Sequence, residues 1–256
     1  MYRFALLCAC LVSMNLQAWN DCDYEETIEQ TLDLAGTQQL LINAAAGELE
    51  VTGVSDSRMA KIKGRVCASE EEWLEDSRID TQTGKNAEIN VELPTSSGWS
   101  WGNNYVYMDL VVEVPDDILL KINDSSGDMG ISGVGAVSVR DSSGEIEIED
   151  SAGPVSVQDS SGDIELTDIR GDVTIESDSS GDIRGRGIEG SVLVVNDSSG
   201  DIRFRDVGEN FVVERDSSGD ISAKGVGGDF EVMRDGSGSI DASNVTGQVK
   251  KPDDHS

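Results

Sequence analysis

The pentapeptide Asp-Ser-Ser-Gly-Asp begins at Asp124, Asp159, Asp178, Asp197 and Asp216, and this recurrence limits the fold of the chain more than any other feature. Asp141 opens the variant Asp-Ser-Ser-Gly-Glu, and Asp235 the worn copy Asp-Gly-Ser-Gly-Ser. The seven starts are therefore spaced by 17, 18, 19, 19, 19 and 19 residues. Self-similarity at such a period is the signature of stacked structural repeats. Counting each repeat from its first Asp, position 6 holds Met129, Ile146, Ile164, Ile183, Ile202, Ile221 and Ile240. Position 11 holds Val134, Ser151, Ile169, Ile188, Val207, Val226 and Val245. Positions 15 and 17 of the longer copies are again apolar, as in Val173-Thr174-Ile175. Alternation with period two and β-branched residues predicts strands that bury one face.

Each repeat thus has two short strands and two glycine-containing turns, and a single repeat cannot bury its own apolar side. Successive coils must stack about 4.8 Å apart, with like residues forming ladders. The expected fold is all-β: a right-handed parallel β-solenoid of about seven 17–19-residue coils. The ladders are expected to run Ile on Ile inside and Asp on Asp outside. A degenerate first coil is expected upstream, where Ile42 to Val54 aligns without gaps on Ile122 to Val134. Between the two lies a β-rich excursion expected to cap the N-terminal end. It reads as a strand from Met59 to Val66, a Ser69-Glu70-Glu71-Glu72 capping box opening a short helix, a hairpin from Ser77 to Leu93 turning near Gly84, and a strand from Tyr105 to Val114. At the other end, Lys251 takes the place of a core residue and stops the stack. The expected division is residues 1–18 as a signal peptide, 19–121 as the N-terminal β region, 122–249 as the solenoid and 250–256 as a disordered tail.

The signal-peptide reading rests on Arg3, the apolar run from Phe4 to Met14 and the Leu16-Gln17-Ala18 cleavage site. The run is shorter than the roughly 20 apolar residues of a spanning helix, and a lipoprotein reading at Cys10 leaves too little apolar sequence ahead of it. Export, most simply to the periplasm, with extracellular release as the alternative, leaves Cys22 and Cys67 as an even pair in an oxidising compartment. A disulfide between them is expected.

The residues above resemble a known group. The leading signal, the Leu40-Leu41-Ile42-Asn43 and Gly47-Glu48-Leu49-Glu50-Val51 segments, the Val111-Val112-Glu113-Val114-Pro115 strand and the Ser-Ser-Gly-Asp-Ile repeats look like the bacterial "putative adhesin" β-strand-repeat family. The resemblance spans roughly residues 27–249. It implies a β-solenoid in an exported or envelope protein, and it carries over no catalytic residue.

Fifty acidic residues against 19 Lys and Arg give a formal charge of −31, which disfavours nucleic acid and anionic lipid as partners. The only histidine is His255, beside the C-terminus, so Ser-His-Asp or Cys-His chemistry has no base to use. Seven copies of the turn, six of them Asp-Ser-Ser-Gly, read as structural rather than as an aspartic-protease motif, and no enzyme activity is expected. Two readings of function remain. One is an envelope protein of structural or adhesion type that meets a protein or glycan across its ladder faces, with Trp99 and Trp101 as an aromatic contact. The other is a calcium-dependent module using two acidic columns: Asp124, Asp141, Asp159, Asp178, Asp197 and Asp216, and beside them Asp128, Glu145, Asp163, Asp182, Asp201 and Asp220. These turns lack the double glycine and nonapeptide spacing of calcium-loaded β-rolls, so hydrogen-bonded Asx-turns with no metal or other cofactor are expected there.

Overall fold

A computed structural model describes residues 22–94 and 104–252. Residues 1–18, Trp99, Trp101 and His255 lie outside the described residues. The N-terminal part contains β1 (Tyr24–Asp33), β2 (Gln39–Asn43), β3 (Leu49–Val54), β4 (Met59–Ala68), α1 (Glu72–Asp76), β5 (Arg78–Gln82), β6 (Asn86–Glu92) and β7 (Val106–Pro115). The repeats then alternate between two sheets. One set is β8 (Leu119–Asn123), β10 (Val137–Arg140), β12 (Val155–Gln158), β14 (Val173–Ser177), β16 (Val192–Val194), β18 (Phe211–Val213), β20 (Phe230–Val232) and β22 (Val249–Lys250). The other is β9 (Met129–Ser132), β11 (Ile146–Glu149), β13 (Ile164–Ile169), β15 (Ile183–Ile188), β17 (Ile202–Val207), β19 (Ile221–Val226) and β21 (Ile240–Val245).

The architecture is a β-solenoid of stacked parallel coils. The first sheet runs β1-β4-β7-β3-β9-β11-β13-β15-β17-β19-β21, and the second β22-β20-β18-β16-β14-β12-β10-β8-β2-β6-β5. Register follows the repeat, with Ile164 beside Ile183, Ile183 beside Ile202 and Ile202 beside Ile221. The inward columns are buried from Met129 to Ile221, while Ile240 at the C-terminal edge is only half buried. Two departures from the column chemistry are absorbed locally. Ser151, fully buried at position 11, donates to the Gly135 carbonyl at 2.6 Å, so its hydroxyl carries no unmet hydrogen bond. Phe204, the largest residue in its column, has Gly185 on one side and Ala223 on the other. A Cβ on Gly185 would lie 2.2 Å from the Phe204 ring, so the small residue makes room for the large one. The ring also packs on Phe211 at 5.4 Å, and Phe211 stacks on Phe230 at 5.3 Å.

The degenerate copy stacks where its alignment places it: Ile42 pairs with Ile122 and Leu49 with Met129. The excursion caps the stack by lengthening it. β6 adds a parallel strand outside β2, and β7 adds one outside β3, before antiparallel β5, β4 and β1 complete the edges. The chain therefore lays down β2–β3, passes outward, and returns to begin the repeats on the other side. Asn90, Asn43 and Asn123 stand in one row of this region. Asn123 donates to Asn43 at 2.7 Å and Asn43 donates to Asn90 at 2.5 Å. Cys22 and Cys67 are joined with Cα atoms 5.5 Å apart, fastening the start of edge strand β1 to β4. The capping box does not form. Ser69 is occupied with Tyr105, accepting its amide at 3.1 Å, and the helix begins after Glu71 without a side-chain cap. Pairing with β7 competes for the same hydroxyl and wins.

Candidate functional site: two carboxylate columns in each turn

The Asp-Ser-Ser-Gly-Asp turn carries the chain from the second sheet to the first, and its glycine has a strict reason to be there. Gly127, Gly144, Gly162, Gly181, Gly200, Gly219 and Gly238 all have φ between +123° and +144°. A Cβ on Gly219 would sit 1.7 Å from the Gly200 carbonyl oxygen of the coil beneath. Backbone this close to backbone admits no side chain. The Gly amides are spent between coils, as Gly162 donates to the Ser180 carbonyl at 3.0 Å.

With the turn so fixed, its two carboxylates fall in opposite environments. The expectation that both columns lie outside is wrong for the first. Asp124 is 7% exposed, and Asp178 and Asp197 are fully buried. Consecutive members are register neighbours, Asp178 with Asp197 and Asp216 with Asp235. The expected Asx-turn is also incomplete. Ser180, Ser199 and Ser218 amides donate to Asp178, Asp197 and Asp216 at 3.1–3.3 Å. In Asp124, Asp141 and Asp159, by contrast, neither carboxylate oxygen has a partner in hydrogen-bond geometry among the described residues. Loss of water dominates their chemistry. Burial pushes Asp124, Asp159 and Asp216 up to about 6 and Asp197 up to about 7, with neighbouring carboxylates of the column adding to the rise. Asp141 and Asp178 are raised by burial too, Asp178 against the pull of the Ser180 amide. A raised carboxyl is a neutral hydrogen-bond donor at mildly acidic pH.

The second column is outward, and its aspartates are used between coils. One oxygen of each Asp accepts the amide of the equivalent residue one coil along. Asp163 takes the Asp182 amide at 2.8 Å, Asp182 the Asp201 amide at 2.9 Å, and Asp201 the Asp220 amide at 2.7 Å. Asp128 does the same for Glu145 at 3.0 Å, and Asp220 for Ser239 at 2.8 Å. The other oxygens of Asp163, Asp182 and Asp201 meet arginines of the first sheet. Arg184 bridges Asp163, at 2.7 Å, and Asp182; Arg203 bridges Asp182, at 3.2 Å, and Asp201. The Asp182 amide, and after it Arg184, hold Asp163 below the usual carboxylate range, and Ser239 does this for Asp220. Among the described residues no group of three or more His, Cys, Asp or Glu side chains has metal-binding geometry.

A family model matches residues 38–252, nearly the whole of this two-sheet stack. The chain belongs to the Toastrack (DUF4097) family. This is the β-strand-repeat group that the sequence resembles, and its fold is the β-solenoid. No curated protein matches the chain. Among solved structures it is similar to a "putative adhesin" of Bacteroides fragilis, 13% identical over 88% of this chain and 97% of that one, with a TM-score of 0.49. It is also similar to a "putative cell adhesion protein" of Clostridium sporogenes, 16% identical over 89% and 100%, TM-score 0.34. A third is a "putative lipid binding protein" of Parabacteroides distasonis, 15% identical over 87% and 96%, TM-score 0.40.

Two further ladders of this Toastrack chain escaped the sequence reading. At the other turn, Asp172 accepts the Ser191 amide at 2.8 Å, Asn210 the Asp229 amide at 2.9 Å, and Asp229 the Gln248 amide at 2.7 Å. Four residues earlier in the repeat, Asp150, Asp168, Gly187, Asp206, Gly225 and Asn244 all have φ between +54° and +77°. Only Gly, Asp and Asn occur there, the residues that tolerate a left-handed backbone, and that restriction is readable from sequence alone.

Proposed function

We propose that this protein is an exported, non-enzymatic envelope protein of structural or adhesion type, which meets a protein or glycan across the outer face of its second sheet. The observation that supports this is a neutral column on a very acidic molecule. Ser138, Ser156, Thr174, Leu193 and Val212 stand in register on five successive strands and point outward. Not one is charged, in a chain of formal charge −31. All five are half buried by their neighbours, so a partner covers them at little further cost in side-chain freedom. Repetition every coil suits a partner that is itself extended or repetitive. Residues 1–18 serve export in this reading, and the segment holding Trp99 and Trp101 is a second point of contact through ring stacking.

The test places a photo-crosslinking residue at Val212 in living cells, with Ser160, exposed in a turn outside the sheet, as the control position. A discrete adduct from position 212, lost on Leu193→Arg, is the expected result. No adduct, or equal adducts from both positions, overturns the assignment of this face. Sequencing the mature N-terminus checks export directly, with Trp19 expected as the first residue.

A further inference from the structure

The outer face of the first sheet is divided by charge, although the chain as a whole is acidic. In one outward column Glu147, Glu165, Arg184 and Arg203 follow one another on adjacent strands. In the next column the order is Glu149, Thr167, Arg186, Arg205 and Lys224. The acidic half repels itself: Glu147 is raised above the ordinary Glu value by loss of water and by Glu149, Glu165 and Glu145. In the basic half Arg184 and Arg203 are paired with the outer Asp column, and Arg186 donates to the Thr167 hydroxyl at 3.3 Å. Arg205 and Lys224 have no acidic partner within the described residues and are exposed.

We infer that this face pairs with the same face of a second copy, as an antiparallel two-fold dimer. Place the two-fold axis along the strands, midway between β13 and β15. The rotation keeps each column opposite itself and reverses the strand order. Arg184 then faces Glu165 of the second copy, Arg203 faces Glu147, and Arg205 faces Glu149. Symmetry doubles these to six opposite-charge pairs, the self-complementary arrangement an isologous contact requires. Of the remaining positions, Arg186 falls opposite Thr167, Ser222 opposite Gly130, and Lys224 opposite Ser132. Like charges meet at the two rims, where Glu50 opposes Asp241, and along the outer Asp column, where Asp163 opposes Asp182 and Glu145 opposes Asp201; there Arg184 and Arg203, paired with Asp163, Asp182 and Asp201, offset the repulsion. The overlap covers eight strands, from β3 to β21. At about 4.8 Å per strand and about 17 Å of strand length it buries roughly 1,300 Å² in total, within the range of specific interfaces. The net charge of each copy opposes approach at long range, but at physiological ionic strength fields beyond roughly 8 Å are screened while contact pairs persist.

This inference goes beyond the proposed function and uses the opposite face of the molecule, so either can fail alone. Sedimentation of the mature chain in about 0.15 M salt is expected to give a concentration-dependent dimer that dissociates near 1 M salt. Arg205→Glu should weaken the dimer at least tenfold without altering the melting curve. The swap Arg205→Glu with Glu149→Arg should restore it, and Lys121→Glu on the second sheet should leave it unchanged. A chain that stays monomeric up to its solubility limit overturns the inference. So does a dimer indifferent to Arg205→Glu. Retention of the monomer on an immobilised polyanion, lost with Arg205→Glu, likewise overturns it and assigns the basic half to an anionic polymer.

Discussion

Asp159 and Asp163 open and close the same five-residue turn, yet one is pushed up to about 6 and the other is held below the ordinary carboxylate range. The pair separates what a residue is from where the backbone puts it. Asp159 points into the corner between the sheets, 2% exposed, beside the carboxylates of neighbouring coils. Asp163 stands outside, accepts an amide from the next coil and pairs with Arg184. The inner column therefore favours the folded state most when it is protonated, and Asp163 and Asp220 of the outer column when they are ionised. One turn holds carboxyls with opposite responses to pH.

The contrast between inside and outside is broken most severely in the core. Ile202 is fully buried, and its neighbour in sequence, Arg203, is exposed. Ile202→Asp puts an unpaired carboxylate into an apolar column and is expected to cost about 4–5 kcal/mol, read from chemical denaturation. Arg203→Asp removes two exposed ion pairs and should cost less than about 1 kcal/mol. Equal losses at the two positions would mean that the assignment of inner and outer faces is wrong.

The inner column gives the next largest effect, and its sign is a gain. Folding raises these carboxyls above the ordinary value of 3.8, to about 6 at Asp159 and about 7 at Asp197. Their contribution to stability is complete below about pH 3.8 and is lost as pH rises through 6 to 7. The melting temperature should therefore fall between pH 5 and pH 8. Asn keeps the shape of the neutral acid and cannot ionise. At pH 8, Asp159→Asn is expected to stabilise by up to about 3 kcal/mol and Asp197→Asn by up to about 4, with little change at pH 4. Loss of stability on either substitution at pH 8 would show that the ionised carboxylate is wanted there.

The outer column should respond the other way. Asp163→Ala removes the acceptor for the Asp182 amide and the partner of Arg184, and should cost about 1 kcal/mol at neutral pH. Because folding lowers this carboxyl, the loss is present above the ordinary carboxylate range and fades as pH falls below it. A cost that grew in acid would place Asp163 with the inner column.

The division between the columns also marks what the sequence could tell. Ile164, Ile183, Ile202 and Ile221 announce themselves, because an apolar β-branched residue every 19 positions has one place to go. The letters Asp-Ser-Ser-Gly-Asp do not say which aspartate faces the corner. That depends on the turn path, set by glycines whose backbone contacts exist only once coils stack. The capping box at Ser69 failed for a related reason: a local signal lost to a partner, Tyr105, that only the sheet brings near. The out-of-order rung was more legible than expected. Ile89-Asn90 repeats the Ile42-Asn43 and Ile122-Asn123 pairs, and those residues stack in one row. The charge division of the first sheet needs register, since Glu165 and Arg184 lie 19 residues apart and become neighbours only across a strand pair.

The smallest expected effect concerns divalent cations, and the same comparison of columns decides it. Calcium requires six to eight oxygen ligands, several of them charged and free to turn toward the ion. In the outer column the Asp163, Asp182 and Asp201 oxygens are already divided between amides of the next coil and the guanidinium groups of Arg184 and Arg203. A cation there would have to displace hydrogen bonds that hold coil to coil. In the inner column the oxygens are sheltered from water, so an ion would have to shed its own hydration to reach them, and among the described residues no three of these side chains converge in metal-binding geometry. Calcium and magnesium should therefore stabilise alike, by screening the acidic surface to the extent that matched ionic strength does. Thermal melts with each ion against a sodium chloride control measure this. A rise of several degrees from micromolar calcium, unmatched by magnesium, would make the calcium-dependent module the better account of these turns. If the rise vanished in Asp159→Asn and survived in Asp163→Ala, the ion would belong to the inner column, and the opposite pattern would place it outside.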